Sequence, residues 1–129
     1  MRYLEVDEVL WIHDYVIEHT GGSHGVHNLG LLESAVARPR STFGGDDLYV
    51  GMFSKAAALL ESLALNHAFV DGNKRTAITS ASQFLLENGW EIVASNRELV
   101  DYTIYVVVSH PEIDAIASWL EDKSRPYHG

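Results

Sequence analysis

Residues 67–77 read His-Ala-Phe-Val-Asp-Gly-Asn-Lys-Arg-Thr-Ala and lie near the middle of a chain of 129 residues. The stretch places an imidazole, a carboxylate, an amide and two adjacent cations around one glycine. Each neighbouring segment predicts a buried helix. Residues 52–66 are apolar nearly all round, and residues 73–88, which end before Gly89, carry small Ala77 and Ala81 one turn apart. We therefore expect a short loop held at both ends by the core.

The other segments predict an all-α fold of about six helices in a single domain, residues 1–129. A period of 3.6 residues indicates a helix over residues 6–19, and a shorter helix is expected over residues 31–38. Ser95 and Glu98 match a capping box and favour a helix that includes residues 102–108, although the β-formers there leave a strand open. The run Ser109-His110-Pro111-Glu112 predicts a second capping box and a last helix.

Three segments are expected to be non-helical. Residues 40–51 predict a loop or short hairpin, which we interpret as a flap over a site, with a plain connector as the alternative. Residues 90–94 predict a short extended piece, and residues 124–129 predict a flexible tail.

Composition and charge narrow the range of possible functions. Eighteen acidic residues against nine Lys and Arg give a net charge of −9, which argues against direct nucleic-acid binding. The absence of cysteine excludes disulfide and thiolate chemistry. No apolar run is long enough to span a membrane, and the N-terminus lacks a signal-peptide core, so we expect a cytoplasmic protein.

The start of the second buried helix predicts an anion site. A helix N-terminus attracts phosphate through free N–H groups and the helix dipole. Gly72 allows close approach of an anion, while Lys74 and Arg75 add charge despite opposing the dipole. The alternative is an ordinary solvated helix start.

Two further residues of the motif suggest chemistry. Asp71 suits Mg²⁺, which binds one or two carboxylates together with phosphate oxygens, but Asp71 or Asn73 would also suit the helix N-cap. His67 can act as a base near neutral pH, and Phe69 is expected to anchor the loop in the core. His13 is interpreted as a hydrogen-bonded core histidine, and His24 with His27 lack the companions of a zinc site. Together the residues indicate transfer from a Mg-nucleoside triphosphate to a hydroxyl.

The motif resembles that of the Fic/Doc superfamily. Its Fic branch carries His-Pro-Phe-x-Asp/Glu-Gly-Asn-Gly-Arg-x-x-Arg, and its Doc (death-on-curing) branch carries His-x-Phe-x-Asp-x-Asn-Lys-Arg. This chain matches the Doc form at six positions, namely His67, Phe69, Asp71, Asn73, Lys74 and Arg75. Residues 21–22, 29–35 and 38–39 also look like the N-terminal half of that family. Lys74 replaces a Fic glycine and Ile78 replaces the second Fic arginine, whereas Gly72 is Fic-like.

The resemblance implies a Doc-type toxin that transfers the ATP γ-phosphate to a Ser/Thr hydroxyl of elongation factor Tu and blocks translation. His67 would be the base, Asp71 the Mg²⁺ ligand, and Gly72, Asn73, Lys74 and Arg75 the binders of the ATP phosphates. The self-inhibitory motif of many Fic proteins is not found, so the resemblance implies a small separate antitoxin (Phd-like). Two alternatives stay open: Fic-type nucleotidyl transfer (AMPylation or UMPylation), and an inactive module that binds a nucleotide or a partner.

Overall fold

Six α-helices make up most of the chain in this computed structural model, which describes residues 1–129. The expected all-α bundle of about six helices is confirmed. In chain order the helices are α1 (Val6–Thr20), α2 (Leu29–Ala37), α3 (Met52–Leu65), α4 (Asn73–Glu87), α5 (Asn96–Ser109) and α6 (Ile113–Asp122). None of them combines the length and the apolar character needed to span a bilayer.

Helices α3 and α4 form the centre of the bundle and share its most extensive contact. Ala77 and Ala81 of α4 are completely buried and, as predicted, allow the two helices to approach closely. α3 is buried over most of its length, and α1, α5 and α6 pack around this pair. The loop between α3 and α4 is therefore fixed at both ends by the most buried part of the protein.

The predicted hairpin between α2 and α3 is present. After a 3₁₀ turn at Arg38–Arg40, strands β1 (Thr42–Phe43) and β2 (Asp46–Asp47) pair antiparallel. The hairpin is tied to the bundle by two side chains: the buried ammonium of Lys55 donates to Asp47 at 3.1 Å, and Arg38 Nε donates to the Tyr49 hydroxyl at 2.8 Å. Its role as a flap remains a prediction.

One of the two predicted capping boxes is wrong. The Ser95 box is confirmed, because the Ser95 hydroxyl accepts from the Glu98 N–H at 3.1 Å and the Glu98 carboxylate accepts from the Ser95 N–H at 3.3 Å. The segment after it is helical, as favoured. At the other site α5 continues through Ser109, and Pro111 lies outside any helix. α6 begins after Glu112, whose side chain makes no capping hydrogen bond.

The C-terminal segment is not a tail over its first three residues. Ser124–Pro126 forms strand β4, which pairs antiparallel with β3 (Trp90–Ile92), the predicted extended piece. Arg125 also pairs with Glu91 at 2.7 Å, and the Tyr127 N–H donates to the Gly89 carbonyl at 2.8 Å. These contacts satisfy the main chain of β3, which has no other strand beside it.

Candidate active site

The predicted motif forms the loop 66–72 between α3 and α4, with the first turn of α4. His67 and Gly72 both have left-handed backbone, with φ of 53° and 75°. The first follows the end of α3, and Gly72 is the residue from which α4 starts. A Cβ on Gly72 would lie 2.9 Å from Ile17 Cδ1 of α1. Gly72 therefore suits this turn for its φ and for the proximity of α1, in addition to any approach by an anion.

Asn73 closes the loop from inside. Its side-chain oxygen accepts from the Phe69 N–H at 3.0 Å, and its amide nitrogen donates to the Phe69 carbonyl at 3.0 Å. The N-cap position belongs to Gly72, so neither Asp71 nor Asn73 caps α4 with its side chain. The Asn73 amide therefore holds the loop closed, and its contact with phosphate stays a prediction.

Phe69 anchors the loop in the core, as predicted. Its ring is 2% exposed and stacks on His13 of α1, with ring centroids 3.8 Å apart and planes inclined by 5°. His13 is itself 2% exposed, and its Nε2 lies 2.7 Å from the Asp71 carbonyl oxygen. The interpretation of His13 as a hydrogen-bonded core histidine is confirmed.

Residues 25–28 form a second support of the loop, which the sequence did not reveal. Residues 25–28 run antiparallel to residues 68–70, with a bridge between Val26 and Phe69. The Val70 N–H donates to the Gly25 carbonyl at 3.0 Å, and the His27 N–H donates to the Ala68 carbonyl at 2.8 Å. These bonds use main-chain groups only, so no residue type could have indicated them.

The side chain of His24 belongs to the same support. Its Nδ1 lies 3.2 Å from Asp14 and its Nε2 lies 3.0 Å from Glu18, both on α1. Because each ring nitrogen faces a different carboxylate, the two carboxylates flank the imidazole and the three groups do not converge on one point. His24 thereby ties residues 23–28 to α1.

The carboxylate of Asp71 is exposed but oriented by two backbone donors. Its Oδ1 accepts from the Gly72 N–H at 2.9 Å, and its Oδ2 accepts from the Ser23 N–H at 3.2 Å. A Cβ on Gly22 would lie 2.6 Å from that Oδ2, so the carboxylate packs directly against glycine backbone. An oriented, solvent-facing carboxylate that belongs to no cluster of three or more His, Cys, Asp or Glu fits a Mg²⁺ ion that takes its other ligands from phosphate and water.

Lys74 and Arg75 are the two cations that no carboxylate neutralises. The other seven of the nine Lys and Arg lie 2.7 to 3.9 Å from an acidic side chain; these are Arg2, Arg38, Arg40, Lys55, Arg97, Lys123 and Arg125. Lys74 and Arg75 are exposed in the first turn of α4, which contains no acidic residue. In a protein with twice as many acids as bases, this is a local positive site beside free helix N–H groups.

A groove of about 480 Å³ runs along α4 from Arg75. It is lined by Ile78, Ser82 and Gln83 of α4, by Tyr15 and His19 of α1, and by residues of β3 and α5. Half of the lining residues are apolar. The groove therefore joins an apolar surface to one of the two free cations.

The sequence profile of the Fic/DOC family matches residues 3–85, which include the whole loop and its supports on α1. The chain belongs to the Fic/Doc family. A protein named "Toxin Doc" from Mycolicibacterium smegmatis is 49% identical over 93 residues, covering 72% of this chain and 69% of that protein. A protein named "Protein kinase doc" from Escherichia phage P1 is 31% identical over 120 residues, covering 93% of this chain and 94% of that protein. The resemblance to the Doc branch is confirmed.

All the predicted site residues of this Fic/Doc chain lie on one loop and one helical turn. His67, Asp71, Lys74 and Arg75 are exposed, and Gly72 and Asn73 are half-buried. The supporting residues came from elsewhere: His13 on α1, Gly22 and Ser23 behind the carboxylate, and residues 25–28. Gly22 had a signal, since residues 21–22 look like the N-terminal half of the family, but that likeness does not indicate a contact with Asp71.

Proposed function

We propose that this chain is a Doc-type toxin of a toxin-antitoxin pair that acts as a protein kinase. It transfers the γ-phosphate of Mg-ATP to a Ser/Thr hydroxyl of elongation factor Tu and so blocks translation in the cytoplasm. The observation that carries the proposal is the pair of unneutralised cations, Lys74 and Arg75, on a helix N-terminus beside an oriented carboxylate. The names of the two relatives support the toxin and kinase parts.

Four residues of the motif have roles in this proposal. Lys74 and Arg75, with the free N–H groups of α4, bind the ATP phosphates. Asp71 would hold Mg²⁺, which when bound neutralises charge that develops on the phosphates. His67 accepts the proton of the attacking hydroxyl. Its position on an exposed left-handed turn leaves the imidazole open to a protein substrate.

The environment of Ile78 favours phosphoryl transfer over nucleotidyl transfer. Ile78 occupies the place of the second Fic arginine, is 5% exposed and belongs to the hydrophobic core. The second guanidinium that would bind phosphate is therefore replaced by an apolar side chain packed in the core. The added positive charge of Lys74 lies one helical turn before Ile78. Nucleotidyl transfer remains the second candidate because Gly72 is Fic-like. An inactive binding module is the third.

The groove along α4 is our candidate surface for the antitoxin. A partner segment with apolar side chains would fill the groove and cover Arg75 at its end. Occupation of the groove would thus remove one phosphate ligand, which gives a physical route from antitoxin binding to loss of activity.

Transfer assays with elongation factor Tu and labelled ATP test the reaction. We expect label to reach the substrate from γ-labelled ATP and not from α-labelled ATP. His67→Ala should lower the rate by about 100- to 10,000-fold, the usual contribution of a general base. His110→Ala is the matched control, because His110 is also an exposed histidine in left-handed backbone (φ 49°) at the end of a helix. Transfer of α-label alone would replace the kinase with the nucleotidyltransferase.

A further inference from the structure

We propose that His13 of α1 is a positioning residue for this reaction. It fixes the peptide group between Asp71 and Gly72, and through that group it fixes the Asp71 carboxylate. The inference rests on the proposed function, because it concerns the same loop, and its test below includes a measurement that needs no catalysis.

The His13 ring holds the loop at two points. One face stacks on Phe69 with centroids 3.8 Å apart, and Nε2 lies 2.7 Å from the Asp71 carbonyl oxygen. A carbonyl oxygen only accepts, so Nε2 must carry the hydrogen. The other nitrogen, Nδ1, is 4.0 Å from the Asp14 carboxylate, too far for a hydrogen bond. The contact with Asp71 is therefore the defined polar interaction of this ring.

The peptide group that His13 holds also orients the carboxylate. Its oxygen accepts from His13, and at its other end the Gly72 N–H donates to Asp71 Oδ1 at 2.9 Å. A peptide group is planar, so rotation that frees the oxygen also turns the N–H away from the carboxylate. Gly72 lies against the edge of the ring, since a Cβ there would be 3.7 Å from Nε2. One hydrogen bond from α1 thus holds the Gly72 N–H in place, and this N–H orients the proposed Mg²⁺ ligand together with the Ser23 N–H.

Packing alone does not explain a histidine at this position. The other buried residues of α1 are aliphatic, namely Val9, Ile12, Val16 and Ile17. A buried polar ring costs free energy unless it is hydrogen-bonded, and an aliphatic or phenyl side chain would fill the space without that requirement. The specific contribution of the imidazole is its N–H, which donates to the Asp71 carbonyl.

Three substitutions of His13 separate positioning from packing. His13→Phe keeps a flat ring against Phe69 but removes the N–H donor. His13→Asn keeps an amide donor, but the side chain is too short for it to reach the Asp71 carbonyl. His13→Gln has an amide nitrogen near the position of Nε2 and restores the donor. Val9→Ala, in the fully buried core of the same helix, is the control for loss of stability without loss of the hydrogen bond.

With all variants assayed below their melting temperatures, we expect kcat for phosphoryl transfer to fall about 100-fold in His13→Phe and His13→Asn. His13→Gln should recover most of the loss, and Val9→Ala should stay within about twofold of the original protein. If the donor-less variants that fold keep the kcat of Val9→Ala, His13 has only a structural role and the proposal is wrong.

Hydrogen exchange of the Gly72 amide decides the matter even if no transfer of any group is detected. This N–H should exchange at least about tenfold faster in His13→Phe and His13→Asn than in His13→Gln and Val9→Ala. Equal exchange in all four variants would overturn the positioning role. Absence of transfer in the unsubstituted protein, with the expected exchange pattern, would overturn the proposed function and leave the role of His13 intact.

Discussion

Replacing Asn73 with alanine tests what keeps the 66–72 loop closed. The Asn73 side chain makes two hydrogen bonds of 3.0 Å to the backbone of Phe69, both partly buried. The substitution removes both and leaves the Phe69 N–H and carbonyl without these partners. At about 1 kcal/mol for each bond, the free energy of unfolding should fall by about 2 kcal/mol.

The measurement is urea unfolding followed by circular dichroism, with thermal melts in parallel. A loss of about 2 kcal/mol corresponds to a fall in Tm of roughly 6–10 °C for a domain of this size. Asn66→Ala is the matched control, because its side chain makes a single exposed bond of 3.4 Å to Leu31. It should change the free energy of unfolding by less than about 0.5 kcal/mol. Asn73→Asp, which keeps the acceptor and loses the donor, should fall between alanine and the original residue.

The same variant distinguishes loop closure from direct phosphate binding. If Asn73→Ala keeps the original stability within about 0.5 kcal/mol but loses affinity for Mg-ATP, the amide contacts phosphate and the loop does not depend on it. Our reasoning from the two hydrogen bonds would then be refuted. The opposite pattern, in which stability falls and Asn73→Asp restores part of both quantities, would support closure.

Three further perturbations probe other parts of the molecule. Arg75→Ala should raise KM for Mg-ATP about tenfold, a typical loss for a charged contact, whereas Arg97→Ala, with 92% of its side chain exposed and a 3.9 Å ion pair, should leave KM unchanged in the same assay. Lys55→Met removes the buried ammonium that anchors the hairpin and should lower the free energy of unfolding by about 1–3 kcal/mol, with faster proteolysis between residues 42 and 47. The hydrogen bond from Lys123, and after it the backbone hydrogen bond from Ser95, lowers the pKa of Glu98 below its ordinary value of 4.5. The ionised Glu98 carboxylate therefore stabilises the fold fully above the pKa of the unfolded chain, and this stabilisation is lost as pH falls through the folded pKa. Glu98→Gln should flatten that part of the pH–stability curve in urea titrations.

The helices were predictable because local signals and burial agreed. In three places a local preference matched the tertiary environment: the apolar α3, the contact made by Ala77 and Ala81, and the Ser95 capping box. The second capping box failed because two helices competed for Ser109, and α5 incorporated it. Strand β4 was not predicted because Ser-Arg-Pro has no strand preference. Its pairing depends on β3, which lies more than thirty positions earlier in the chain.

The closeness of the candidate site residues was predictable, whereas their supports were not. His67, Asp71, Lys74 and Arg75 lie close in sequence, so the loop and one helical turn bring them to one place whatever their roles. Residues 25–28 support the loop through main-chain bonds, which any residue could make. His13 was visible as a polar residue on an apolar stripe, but the stripe could not show that its partner lies 58 residues away.

The charge of the whole protein and the charge of the site have to be considered separately. A net charge of −9 would repel a nucleotide at long range, but at physiological salt exposed charges are screened beyond about 8 Å. Seven cations are also matched locally by carboxylates, so they add little field elsewhere on the surface. Within a screening length of the α4 N-terminus, the uncompensated charges of Lys74 and Arg75 therefore dominate over more distant acids. The acidic surface opposes extended polyanions such as nucleic acids, which must contact many points at once, while a single triphosphate needs only this one turn of helix.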